Sequence, residues 1–142
     1  MDLSKQPGIS FKGILLAREN FKREPEYTLN ANTTIDFSYC YYMNKENNDY
    51  YAELTATVKS FNEHKEILSL SCTFVGIFAE IEDEKNMEIE EYMKIAAPAL
   101  MIPFVREHIS SITLKAGIKP ILINPINVIA LLKTEDNQES KE

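Results

Sequence analysis

Thr34-Ile-Asp-Phe-Ser-Tyr-Cys-Tyr-Tyr-Met43, Asn44-Lys-Glu-Asn-Asn-Asp49 and Tyr51-Ala-Glu-Leu-Thr-Ala-Thr-Val-Lys59 together decide the fold. The first stretch is β-branched and aromatic with a period of two. Ile35, Phe37, Tyr39 and Tyr41 fall on one face and Asp36, Ser38 and Cys40 on the other, the signature of a half-buried strand. The second is a run of Asn and Asp, residues that tolerate turn backbones and bond their own main chain. The third alternates cleanly, with Ala52, Leu54, Ala56 and Val58 inward and Tyr51, Glu53, Thr55, Thr57 and Lys59 outward. Strand, turn and strand make a hairpin.

Working outward, residues 62–66 form a second polar turn, and residues 67–81 read as a long strand with Leu68, Leu70, Cys72, Phe74, Gly76 and Phe78 on one face. Gly76 inside such a run marks a bulge or a close approach. On the other side, residues 9–17 alternate imperfectly before the polar Arg18-Glu19-Asn20, giving a first strand. Residues 21–25 then read as a connection in which Pro25 holds Glu24 extended. Four strands in succession predict an antiparallel meander.

After residue 80 the period changes. Residues 80–91 are rich in acid, and residues 87–95 fit a short amphipathic helical turn before Pro98. From Ala99 onward Leu100, Met101, Phe104, Val105, Ile109, Ile112 and Ala116 recur at spacings of three and four, a long helix that Gly117 caps. Pro103 is expected in its first turn, where a missing N–H costs little. Pro120 and Pro125 predict an extended crossover over 118–127, and 128–132 a short C-terminal helix before a flexible polar tail at 133–142. The fold class is α+β: a four-stranded antiparallel meander backed by a long helix and a short C-terminal one, in a single domain over 1–142 with an ordered core about 9–132.

At 142 residues with 44% hydrophobic and 26% charged side chains, the chain has the apolar content of one folded domain. A formal charge of −7 repels phosphate backbones and anionic lipid, so no nucleic-acid partner and no membrane insertion are expected and membrane-surface binding falls to the bottom of the list. The apolar stretch 95–105 is broken by Pro98 and Pro103 and falls short of the ~20 residues that cross a bilayer. The first residues do not read as a secretory signal, so a cytoplasmic location is expected. Cys40 and Cys72 lie in strand patterns and read as reduced thiols.

No catalytic set emerges. The chain has no phosphate-cradling Gly-rich loop, no nucleophile elbow and no His pair at metal spacing; His64 falls in a polar turn and His108 on the long helix. Catalytic residues, metal and cofactor are all expected to be absent. The positive signal is apolar surface. Five tyrosines gather in one hairpin, and Ile121, Leu122, Ile123, Ile126 and Val128 lie in a segment with little regular structure. A single sheet with helices on one side cannot bury all of this alone, so the surplus meets another subunit, a ligand or a client.

The run Ala97-Pro-Ala-Leu-Met-Ile-Pro-Phe-Val-Arg-Glu-His-Ile-Ser-Ser111, followed by Gly117, Pro120 and Pro125-Ile-Asn-Val-Ile-Ala-Leu131, resembles the SecB family of protein-export chaperones. Pro98, Leu100, Met101, Pro103, Phe104, Arg106, Ile109 and Ser110 fall on that family's helix signature, and Gly76-Ile-Phe78 on its Gly-Ile-Phe. The resemblance implies a homotetramer, a dimer of dimers with helices at the interface, which on this chain means Met101, Val105, Ile109 and Ile112. It implies a holdase that binds unfolded polypeptides, preproteins or an antitoxin, in apolar grooves without ATP or any cofactor. The groove residues would be Phe37, Tyr39, Phe74, Val75, Phe78, Ile121, Leu122, Ile126 and Leu131. Glu19 and Glu24 lie near the positions where export members carry acids for the SecA motor. Ser71 stands where the fourth strand would carry another, so motor binding is implied with less force. Two other classes compete: a small thioesterase-like α+β enzyme, for which no catalytic set is present, and a purely structural oligomerisation module.

Overall fold

The computed structural model describes residues 9–27, 30–80 and 88–124. Four strands, β1 (Ile9–Arg23), β2 (Asn32–Met43), β3 (Tyr50–Asn62) and β4 (Lys65–Glu80), form one antiparallel sheet. A helical run follows: α1 (Ile89–Glu91), a π-helical turn (Tyr92–Ala96) and α2 (Ala97–Lys115). Strands β2, β3 and β4 are the expected meander. β1 corrects it, because the sheet order is β1-β4-β3-β2 and β1 pairs with β4 rather than β2. The link from β1 to β2 therefore carries the chain between opposite edges of the sheet, the topology of a Greek key. Of the extended crossover expected over 118–127, residues 118–124 are described, without helix or strand and lying along α2, and 125–127 fall outside the described residues. The predicted C-terminal helix and tail fall outside the described residues.

β1 also runs through the polar stretch expected to end it. Register shifts between Phe11 and Gly13 and between Leu16 and Arg18 leave Lys12 and Ala17 as extra residues. Opposite residues of an antiparallel pair share a face. The β4-matched helix-side positions of β1 are therefore Phe11, Ile14, Leu16, Glu19 and Phe21, opposite Phe78, Gly76, Phe74, Cys72 and Leu70. Their spacing of three, two, three and two is what made the alternation imperfect.

The helical run covers this face. Ala97, Met101, Val105, Ile109 and Thr113 form one i, i+4 row, all buried against the sheet. Small residues beneath the row let the helix settle. A Cβ at Gly76 would lie 2.9 Å from the Phe78 ring and 3.0 Å from Met101 Sδ, so Gly76 is the close approach and not a bulge. Ala52, Leu54, Ala56 and Val58 are fully buried on the same face, as their alternation predicts.

The run is continuous through Pro98, where the sequence placed a break. The junction residues Glu91, Tyr92, Ala96 and Ala97 all have right-handed helical dihedrals. A proline ring clashes with the carbonyl four residues before it, and widening the preceding turn from i+4 to i+5 relieves that clash. Pro103 corrects a second expectation: it lies inside α2, not in its first turn. The Ala99 carbonyl that loses its donor to Pro103 belongs to an exposed residue, where water can serve it. Gly117, at φ 75°, ends the helix as expected, with its N–H donating to Leu114 O at 3.0 Å.

Candidate binding surface

Phe37, Phe74 and Phe78, expected in an open groove, come together beneath the helix as core. Phe78 is fully buried, stacked on Phe11 at 4.9 Å and edge-on to Tyr92 at 6.0 Å. Phe74 is buried with the His108 ring edge-on at 5.5 Å, and Phe37 packs in the same cluster. Val75 faces the other way, since neighbouring strand residues alternate, and sits half-buried on the uncovered face of the sheet. Ile126 and Leu131 lie outside the described residues.

Tyr39 has a distinct part. In the π-helical turn the Ala97 amide bonds Tyr92 O, and the next donor in the ladder would be residue 98, a proline. The Met93 carbonyl is thereby left without its usual backbone donor, and the Tyr39 hydroxyl donates to it from β2. Burial, with smaller effects of Tyr41 and Cys40, pushes the Tyr39 phenol well above its ordinary pKa, so it stays a donor.

The helix face assigned to an oligomer interface also needs correcting. Met101, Val105 and Ile109 are buried in the chain's own core and Ile112 packs partly against it, so they have little surface left to give. The open stripe is the neighbouring one. Leu100 is 41% and Phe104 46% exposed, one turn apart, and Phe104 meets the Phe11 ring of β1 edge-on at 6.2 Å. On β1, Leu15 and Leu16 are 48% and 40% exposed. Leu16, opposite Phe74, opens on the helix side with Leu100 and Phe104, and Leu15, opposite Val75, opens on the uncovered face; among the described residues β1 pairs with β4 alone, so apolar side chains flank an open strand edge on both faces. The spacing of Leu100 and Phe104 shows in the sequence, but nothing local says which of two adjacent stripes meets the sheet.

The two candidate motor-contacting acids do not form one surface. Glu19 sits on the helix side, its Oε1 2.5 Å from His108 Nε2, while Glu24 lies beyond the end of β1, 3.4 Å from Lys22. The Ser71 region is an open hollow lined by Arg18, Glu19, Asn20, Ser71 and Thr73. Opposite Glu19, the Cys72 thiol is pushed up to about 11, first by burial and then by the Glu19 charge. Cys40 is exposed, 3.7 Å from Glu53. A thiol reagent at pH 8 is thus expected to modify Cys40 in the native protein and to reach Cys72 only on unfolding; equal rates at both would contradict the burial. The linkage sign follows from the raised value. The fold favours the neutral thiol, so this contribution is complete below the ordinary value of 9.0 and is lost as pH rises towards 11. Denaturant titrations should show that loss at up to ~1.4 kcal/mol per pH unit across this window.

Beyond α2 lies the most open large apolar side chain among the described residues. Leu122 is 76% exposed, whereas Ile118 and Ile123 are buried and Ile121 half-buried. Leu122 and Ile123 close a cleft of about 270 Å³ against Pro103, Arg106, Glu107 and Ser110 of α2. Arg106 Nε is buried there without a hydrogen-bond partner among the described residues. No three His, Cys, Asp or Glu side chains among the described residues are placed to hold a metal, and no described helix is long and apolar enough to cross a membrane.

These features define an α+β chain: a single antiparallel sheet covered on one face by a helical run with a π turn, with apolar side chains open at the β1 edge and beside the segment after α2. The chain belongs to the SecB family, whose model, described as preprotein translocase subunit SecB, matches residues 9–139. Similar proteins include the protein-export protein SecB of Thiobacillus denitrificans, 27% identical over 66% of this chain and 60% of that protein. That of Afipia carboxidovorans is 25% identical over 84% and 73%. That of Rickettsia akari is 33% identical over 61% and 56%. The match thus spans about 60% of the length of the Thiobacillus relative. Among solved structures, a SecB-like chaperone of Mycobacterium tuberculosis, in complex with an antitoxin peptide, superposes with a TM-score of 0.67 at 15% identity, covering 82% of this chain and 88% of that one. At that identity the likeness concerns the fold.

Proposed function

We propose that the chain is a subunit of an ATP-independent holdase that keeps polypeptides unfolded, acting in the cytoplasm without cofactor or catalysis. The observation that carries this reading is the cleft beside α2, where an exposed Leu122 adjoins an Arg106 guanidinium with an unpaired donor. An apolar knob with an unsatisfied N–H suits an extended segment, which offers a side chain and a backbone carbonyl at each step. One buried aliphatic side chain contributes only ~1.5–3 kcal/mol, so firm binding needs several clefts at once. A homotetramer supplies them. Its protomers would meet across the β1 edge and the Leu100–Phe104 stripe, where a strand and the helix both expose large apolar side chains. The net charge of −7 favours basic clients and keeps the loaded complex dispersed. The family's place in preprotein translocation and the antitoxin peptide held by the mycobacterial relative both support clients that are held before they fold.

Suppression of aggregation is the direct test. The chain should prevent a diluted, chemically unfolded protein from scattering light without nucleotide. Leu122→Ser should weaken that protection severalfold with oligomer size unchanged. Full protection by the variant would remove the cleft from the client path.

A further inference from the structure

We propose that Thr113 is the positioning residue that pins the segment after α2 and thereby sets the cleft at Leu122; this rests on the client-binding reading above. Thr113 occupies the last place in the buried row that begins at Ala97 and is itself fully buried, a polar residue where the row calls for an apolar one. Its hydroxyl is used twice. Oγ1 donates to Ile109 O at 2.8 Å, with Ser110 O at 3.1 Å, and accepts the Ile121 N–H at 3.0 Å. The Thr113 carbonyl accepts a second amide of the same segment, Ile118 N–H, at 3.3 Å.

The two bonds differ in what they ask of the sequence. Any residue at 113 supplies the carbonyl for Ile118, whereas the tie to Ile121 needs a side-chain acceptor buried at this place. Between them stands Pro120, which has no N–H to offer. Gly117 turns the chain back along the helix, and the Ile121 bond fixes the phase of the extended segment: Ile121 and Ile123 inward, Leu122 outward. Ser110, one turn before Thr113, is already part of the cleft wall, so the pin sits at the end of the surface it positions. A shift of one residue in that phase would turn Leu122 into the core and bring isoleucine out.

The test compares Thr113→Val, which keeps the shape and removes the hydroxyl, with Thr113→Ser, which keeps the hydroxyl, in the full chain. Helix bonding through Ile109 O does not depend on the hydroxyl, so both variants should fold. In Thr113→Val, amide exchange at Ile121 should accelerate by tenfold or more, and affinity for an unfolded polypeptide should fall about tenfold. Thr113→Ser should restore both, which a role in packing alone would not do. Wild-type exchange at Ile121 in the valine variant would overturn the pin, as would equal losses in the serine and valine variants. Fast Ile121 exchange with unchanged client affinity would overturn its control of the cleft. A wild type that binds no unfolded polypeptide would overturn the functional reading instead, and Ile121 exchange would still decide the pin by itself.

Discussion

Ile109→Asp is expected to unfold the chain, whereas Phe104→Asp is expected to leave it folded and to reduce only the size of the proposed assembly. Ile109 has no exposed surface in the single chain, lying between α2 and the sheet. Losing a buried isoleucine side chain alone costs ~2–5 kcal/mol, and a carboxyl buried without a partner adds to that. Against a total stability of ~5–15 kcal/mol, the native population collapses. Phe104 is nearly half exposed, with the Phe11 ring edge-on to it, so an aspartate there meets water in the monomer and would be intolerable only where another protomer covered it. Circular dichroism with sedimentation separates the two. A folded, monomeric Ile109→Asp would return the buried row to the interface and contradict the assignment of the Leu100–Phe104 stripe.

The second large effect is at Tyr39. Tyr39→Phe keeps the ring and removes the donor that serves Met93 O, leaving a carbonyl of a fully buried residue unsatisfied at ~1–3 kcal/mol. The need for that donor arises at Pro98, so the two residues should be coupled. In Pro98→Ala the N–H returns, the turn can tighten to i+4, and the Ala97 amide becomes available to Met93 O. Tyr39→Phe should then cost less by about 1 kcal/mol or more than in the parent, a coupling that a double-mutant cycle in urea resolves. Additive losses would show that Met93 O draws on another donor and that the π turn does not depend on β2.

The β2-β3-β4 part of the sheet is legible in the sequence because strict alternation and polar turns are local signals. β1 was legible only in part. Its bulges at Lys12 and Ala17 reset the alternation twice, and its place beside β4 is a long-range pairing that no local pattern encodes. Residues 87–95 and the run from Ala99 are each readable as helical, but not as one continuous run, since the five-residue π turn departs from the 3.6 period and Pro98 imitates a stop. The binding surface was harder. Phe37, Phe74 and Phe78 read as groove because an aromatic on a strand looks the same whether a helix or a client covers it. Leu122 was recognised as surplus apolar surface, and the structure opens it. Thr113 went unread because a single hydroxyl in an apolar row resembles a lapse in the pattern until the amide that uses it is in view.

The apolar surface around Leu122 is expected to take non-native chains. A calorimetric titration of the assembled protein with a chemically unfolded polypeptide, with the folded form of the same polypeptide as control, tests it most directly. Saturable binding of the unfolded form alone, with the negative heat-capacity change of buried apolar surface, is the predicted result. Binding of neither form, or of both equally, would contradict it.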